Sequence, residues 1–279
     1  MDSPENLPIG LFDSGVGGLT VMREVARLLP NESIIYLGDT ARVPYGTRSP
    51  EVIQKYTLEA ASFLLKRKIK LLILACHTAC SHAFDLLQSQ YPVPIIGVTR
   101  TGLQQLVQTT QNRRVAILGT PSTIRSGLYQ KRLAEQAPDI EVCSVSCPLF
   151  VPLIEEGLLD HPATKLIAAH YLAPLREKKI DTALLACTHY PLLRSVIQEV
   201  LGPGVSLIEP AEGTAQEALR YLSSAHQLCS RAKKRFQFYA TDDPEKFGRM
   251  ANLFFGTPVQ RVFPAVLSRL TNIEKNKNL

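Results

Sequence analysis

The sequence predicts an α/β fold built on mainly parallel sheets. Two observations lead there. Short runs rich in Ile, Leu and Val alternate with longer stretches of helical periodicity, a pattern that favours parallel strands buried on both faces. The pattern also occurs twice along the 279 residues, and each occurrence ends one apolar run on a cysteine.

In the first half, Ile9–Phe12, Ser33–Leu37, Leu71–Ala75 and Pro94–Val98 read as strands. Between them, Leu19–Leu29, Pro50–Lys66 and Thr78–Gln90 carry apolar residues at helical spacing. Ser49-Pro50-Glu51 opens one helix as N-cap, first-turn proline and first-turn acid. In the second half the strands are Arg113–Leu118, Glu141–Val145, Thr182–Ala186 and Val205–Ile208. Lys68-Ile69-Lys70-Leu71-Leu72-Ile73-Leu74-Ala75-Cys76 aligns without a gap with Lys179-Ile180-Asp181-Thr182-Ala183-Leu184-Leu185-Ala186-Cys187. Gly10–Ser14 and Ala116–Thr120 are the matching first strands.

Composition narrows the function. Hydrophobic residues make up 45% and charged residues 20%, as in a globular protein with a substantial core. The N-terminal Met1–Asn6 has no basic n-region, and Leu71–Cys76 is too short to span a bilayer. A cytoplasmic enzyme without membrane partners is expected. The net charge of +6 is dispersed. Its densest run, Arg231–Arg235, lies beside Phe236 and Phe238 but reads as a solvated helix end rather than a nucleic-acid site. The tail from Glu274 to Leu279 reads as frayed.

Six cysteines without a Cys-x-x-Cys pair do not make a disulfide scaffold. Cys76/Cys80 and Cys143/Cys147 are four apart, but Pro148 and the extended look of Val142–Val145 argue against a zinc site. Cys76 and Cys187 fall at strand ends, where open α/β sheets bind ligands. Each is followed by a helix start, whose free N–H groups are expected to draw a thiol pKa down towards neutrality. Two such halves facing each other would set the thiols on opposite walls of one cleft. His189, two residues after Cys187, is placed to orient or ionise that thiol or to bond a carboxylate. His77 adjoins Cys76. The loop Asp13–Gly18 lacks the third glycine of a dinucleotide fingerprint and any P-loop ending, so it suits a carboxylate or ammonium better than a nucleotide. Asp13 either pairs with an ammonium, helps Cys76 or caps the turn. Gly38–Gly46 is a second loop, whose Tyr45 either closes over a ligand or anchors the loop.

Asp13–Val21, Tyr36–Gly46, Ala75–Ala79, Pro148–Leu153 and Cys187–Leu192 together resemble the glutamate racemases of the aspartate/glutamate racemase superfamily, in order from about Ile9 to Ala215. The resemblance implies two pseudo-symmetric α/β domains, residues 1–98 with 211–279 and residues 99–210, with the active site in the cleft between them. It implies interconversion of L- and D-glutamate without pyridoxal phosphate or metal, supplying D-glutamate for peptidoglycan. Cys76 and Cys187 would be the acid/base thiols, assisted by Asp13 and His189. Asp13, Ser14, Tyr45, Gly46, Thr78, Thr188 and His189 would hold the substrate, with His77 as a further candidate contact. A homodimer is compatible with the sequence. The chain departs from the family in His77, where Asn is usual, in Thr99-Arg100-Thr101, where a Pro-containing turn is usual, and in Glu209, where Asp is usual. If His77 faces the substrate, its titration near pH 6.5 should couple to Cys76, and His77→Asn should shift the acidic limb of kcat/KM. A racemase or isomerase of aspartate or another small acid, and a non-catalytic two-lobed binding protein, are the competing readings.

Overall fold

The computed structural model describes residues 4–230 and 235–268. Their ten strands are β1 (Ile9–Asp13), β2 (Ile34–Gly38), β3 (Leu71–Leu74), β4 (Ile95–Gly97), β5 (Arg114–Gly119), β6 (Glu141–Ser146), β7 (Thr182–Ala186), β8 (Ser206–Ile208), β9 (Phe236–Ala240) and β10 (Val262–Pro264). They form a six-stranded sheet, β10-β9-β2-β1-β3-β4, and a four-stranded sheet, β6-β5-β7-β8. Every pairing is parallel. Residues to Val98 and from Ala211 onward form one compact unit, and Thr99–Pro210 the other.

The first unit carries the larger sheet with helices α1 (Leu19–Leu28), α2 (Pro50–Leu65) and α3 (His77–Gln90). Helix α4 (Val98–Thr109) starts where the chain leaves that unit. The second unit carries α5 (Pro121–Arg125), α6 (Leu128–Gln136), α7 (Phe150–Glu155), α8 (Pro162–Leu172) and α9 (Arg194–Leu201). Helix α10 (Pro210–Ser224) starts where the chain returns, and α11 (Pro244–Phe255) follows β9. Leu103, Leu106, Val115, Ile117, Tyr129, Leu133 and Leu184 centre the second core. No helix among the described residues is long and apolar enough to cross a membrane.

The internal repeat extends to strand register. Leu72, Ile73 and Leu74 pair with Gly10, Leu11 and Phe12. Their aligned partners Ala183, Leu184 and Leu185 pair with Ala116, Ile117 and Leu118. The outer strands follow, since Leu72 opposes Ile95 and Ala183 opposes Leu207. Lys68 and Lys179, which open the two copies, both have left-handed backbone, φ 55° and φ 51°. The residue before each strand is an ionic anchor of opposite sign. Lys70 Nζ lies 2.6 Å from Glu32 Oε2, with both side chains buried, and donates to the carbonyls of Glu5 and Gln227. Asp181 instead accepts from Thr110 Oγ1 and from the N–H groups of Gln111 and Asn112. The same strand geometry is therefore tied down by unrelated chemistry.

Strands β9 and β10 lie outside the predicted set. Phe236 and Phe238, set beside a basic run in the sequence, pack their rings on Phe255 at 5.9 and 5.7 Å. Both are residues of β9, packed on the last residue of α11. The four residues 231–234 of that run and the tail from Glu274 lie outside the described residues. Thr99-Arg100-Thr101 is the first turn of α4 rather than a loop, with Thr99 and Thr101 buried. Cys143 lies within β6 and Cys147 just beyond it. Among the described residues no group of three His, Cys, Asp or Glu side chains is placed to hold a metal ion.

Candidate active site

In the first unit the site grows from the adjacent ends of β1 and β3, the switch point at which doubly wound sheets bind ligands. The Asp13 carboxylate is fully buried and accepts the Gly15 N–H at 2.8 Å. A side chain on Gly18 would put its Cβ 2.5 Å from Asp13 Cβ and 3.0 Å from Ala75 Cβ, so only glycine lets the loop turn this tightly above the carboxylate. Gly38 is required in the same way, because a Cβ there would meet the Gly15 carbonyl oxygen at 2.5 Å. That carbonyl accepts the Tyr36 hydroxyl at 2.8 Å.

Cys76 caps α3. Its Sγ accepts the Ala79 N–H at 3.5 Å and lies 3.4 Å from Ser14 Oγ. The anticipated helix-start donation is thus present, but the expected drop in pKa is not. Burial and the nearby Asp13 charge outweigh the hydrogen bonds from Ser14 and Ala79 and push the thiol up to about 11. Asp13→Asn removes the anionic neighbour. It is expected to lower the midpoint of Cys76 alkylation against pH by about one unit or more. Peptide mapping of iodoacetamide labelling reads this directly, and an unmoved midpoint would show that the Asp13 charge does not act on the thiol.

In the second unit Cys187 directly follows β7 and is 7% exposed. Tyr190 N–H closes the turn onto the Cys187 carbonyl at 3.1 Å. His189 is buried and its Nε2 lies 3.0 Å from Glu155 Oε1, at the end of α7. Thr188 is buried between Cys187 and His189.

The family profile described as Asp/Glu/Hydantoin racemase matches residues 9–218. The chain belongs to that family. It is 45% identical to the glutamate racemase of Geobacter metallireducens over 93% of this chain and 96% of that one. The crystal structure of the glutamate racemase isoform RacE1 from Bacillus anthracis superposes with a TM-score of 0.91 at 36% identity, covering 94% of this chain and 98% of that one. The Francisella tularensis glutamate racemase, crystallised with D-glutamate, gives 0.90 at 37% identity, with the same coverage.

Within this racemase-family chain, the structure groups Asp13, Ser14 and Cys76 in one unit, and Cys187, Thr188 and His189 in the other. Tyr45 is buried, and its phenol is raised well above its usual value by burial and by Asp39, with a smaller contribution from Cys76. Its hydroxyl donates to Asp39 Oδ2 at 2.5 Å. Arg42 also reaches Asp39, at 2.6 Å, bonds Glu59 of α2, and stacks 4.0 Å over the Tyr56 ring. Tyr45 therefore anchors its loop, and Gly46 beside it is buried. Thr78 is buried in the first turn of α3.

His77 is 3% exposed, and burial pushes its imidazole down to about 3. It is neutral across the working range, so the expected thiol–imidazole titration at Cys76 does not arise. Glu155 was not among the expected residues. It lies two residues beyond the Pro148–Leu153 motif, and nothing in the spacing ties its carboxylate to His189.

Proposed function

We propose that the protein is a glutamate racemase, with Cys76 and Cys187 as its two bases. The carrying observation is that two buried thiols occupy the same register position at the ends of equivalent strands, β3 and β7. The glutamate racemase relatives give the substrate. In this reading the thiolate of one cysteine takes the α-hydrogen as a proton. The C–H electron pair passes into the carboxylate, and the thiol of the other cysteine delivers its proton to the opposite face. Each turnover leaves the two thiols with exchanged protonation states, and the next turnover runs in reverse or follows proton exchange with solvent. The mechanism requires both thiols to address opposite faces of one α-carbon.

The raised thiol pKa has a cost and a use. Ionising Cys76 at pH 7 from a pKa of about 11 costs about 5 kcal/mol. A thiolate of that basicity is in return a stronger acceptor for a weakly acidic C–H. A substrate ammonium beside Asp13 and Cys76 would offset part of the cost, because a nearby opposite charge lowers a pKa by roughly 1–3 units. Binding and activation of the thiol are then one event. His189, held by Glu155, takes the supporting place beside Cys187. Ser14, Thr78, Thr188 and the Tyr45–Gly46 loop complete the substrate-holding set.

The reaction draws on no pyridoxal phosphate or metal. A cytoplasmic enzyme supplying D-glutamate for peptidoglycan follows from this reading. Purified protein should collapse the circular dichroism of L-glutamate to zero, and should still do so after dialysis against a chelator. Collapse of the L-aspartate signal instead would favour the smaller-acid racemase. Loss of neither signal would leave the two-lobed binding protein.

A further inference from the structure

The turn that carries Cys187 and His189 is gripped from beneath by one side chain. Tyr190 is fully buried, and its hydroxyl donates to the Cys147 carbonyl at 2.9 Å. Its ring meets Phe150 edge-on, with centroids 5.2 Å apart at 80°. Phe150 is itself fully buried and stacks edge-on against Tyr171 of α8 at 5.6 Å. The two contacts hold both ends of the four-residue span Cys147–Phe150, from which α7 departs.

A closed ring of contacts results. From Phe150, α7 rises about 1.5 Å per residue to Glu155, whose carboxylate returns to His189 Nε2, one residue before Tyr190. The Tyr190 N–H closes the same turn on the Cys187 carbonyl. One attachment point would leave the turn free to rotate, whereas two fix its orientation. Buried aromatic hydroxyls keep a hydrogen-bond partner, so the grip has a preferred geometry as well as a location.

We infer that Tyr190 is a positioning residue, whose hydroxyl and ring set the Cys187–His189 turn against α7 and so hold Glu155 on His189. The inference rests on the reading of Cys187 as one of two bases, and it predicts that damage at Tyr190 falls on that base alone.

Tyr190→Phe keeps the ring and deletes the hydroxyl. Misplacing a reacting group by a fraction of an ångström costs on the order of ten-fold in kcat/KM, and that is the expected loss. The decisive reading is the primary deuterium isotope effect measured with α-deuterated L- and D-glutamate. When Cys187 removes the deuteron, the slowed step becomes more rate-limiting and the isotope effect rises. When Cys76 removes it, the slowed step is the later proton delivery and the effect falls. Phe150→Leu, which loosens the grip from the other side, should show the same asymmetry. Equal isotope effects for both enantiomers, or wild-type kinetics, would overturn the inference. A measurement that needs no turnover separates it from the two-base reading. In ¹⁵N spectra the Nε2 signal of His189 should leave its hydrogen-bonded position in Tyr190→Phe, and retention of that position would also overturn it.

Discussion

Cys76→Ala and Cys187→Ala are each expected to lower racemisation of L-glutamate by about a thousand-fold or more, and the double variant by no more than either single one. A positioned acid or base contributes roughly 10²–10⁴-fold, and in the proposed two-base mechanism each thiol serves as base for one enantiomer and acid for the other. Groups that act as one unit give losses that do not add. In deuterium oxide the wild-type protein should convert L-glutamate into D-glutamate carrying deuterium at the α-carbon. Recovered L-glutamate should be little labelled early in the reaction if, as proposed, the proton removed and the proton delivered belong to different sulfurs. Rapid labelling of unconverted substrate would instead indicate a single base serving both faces. Substantial turnover by either alanine variant would sink the assignment. Both cysteines are buried but small, so far-UV circular dichroism and thermal midpoint should change little beyond the loss of one buried sulfur each.

The parallel architecture and the strand-end thiols were legible because both depend on local patterns. A parallel strand buried on both faces is a continuous apolar run, and β3 and β7 carry nearly the same one. Strand register was legible too, since the aligned repeat pairs Gly10 and Ala116 with equivalent partners. Strands β9 and β10 were not. Phe236-Gln237-Phe238-Tyr239-Ala240 mixes aromatic and polar residues beside charge, and what makes it a strand is its distant partner β2 and the ring of Phe255. The contact of His189 with Glu155 spans 34 positions, and no periodicity encodes it. The thiol pKa is not legible in the same way, because a helix start is visible in sequence and the depth of burial is not. At Cys76 the hydrogen bonds that lower the pKa are present, yet burial and Asp13 prevail.

At His77 burial acts with the opposite sign, lowering the pKa, and the consequence is a large acid sensitivity of folding. A histidine in the unfolded chain titrates near 6.5, while burial holds this one near 3 in the folded chain. Between those values the unfolded state binds a proton that the folded state refuses. Stability must therefore fall as pH falls through 6.5, and the loss ends only when the folded imidazole also protonates. With 1.36 kcal/mol per pH unit, His77 alone removes about 3 kcal/mol by pH 4.5, a sizeable part of the total stability of a domain. At pH 7 the penalty is nearly absent. His77→Asn, the residue usual in the resembled family, cannot take up the proton in either state. Urea denaturation at pH 7 and pH 4.5 should show the wild type losing about 3 kcal/mol more than His77→Asn over that interval. The same substitution should leave the acidic limb of kcat/KM in place between pH 6 and pH 8, because the wild-type imidazole is already neutral there. Parallel pH dependence of stability in the two proteins, or a shifted acidic limb in the variant, would mean that His77 reaches solvent and carries charge next to Cys76.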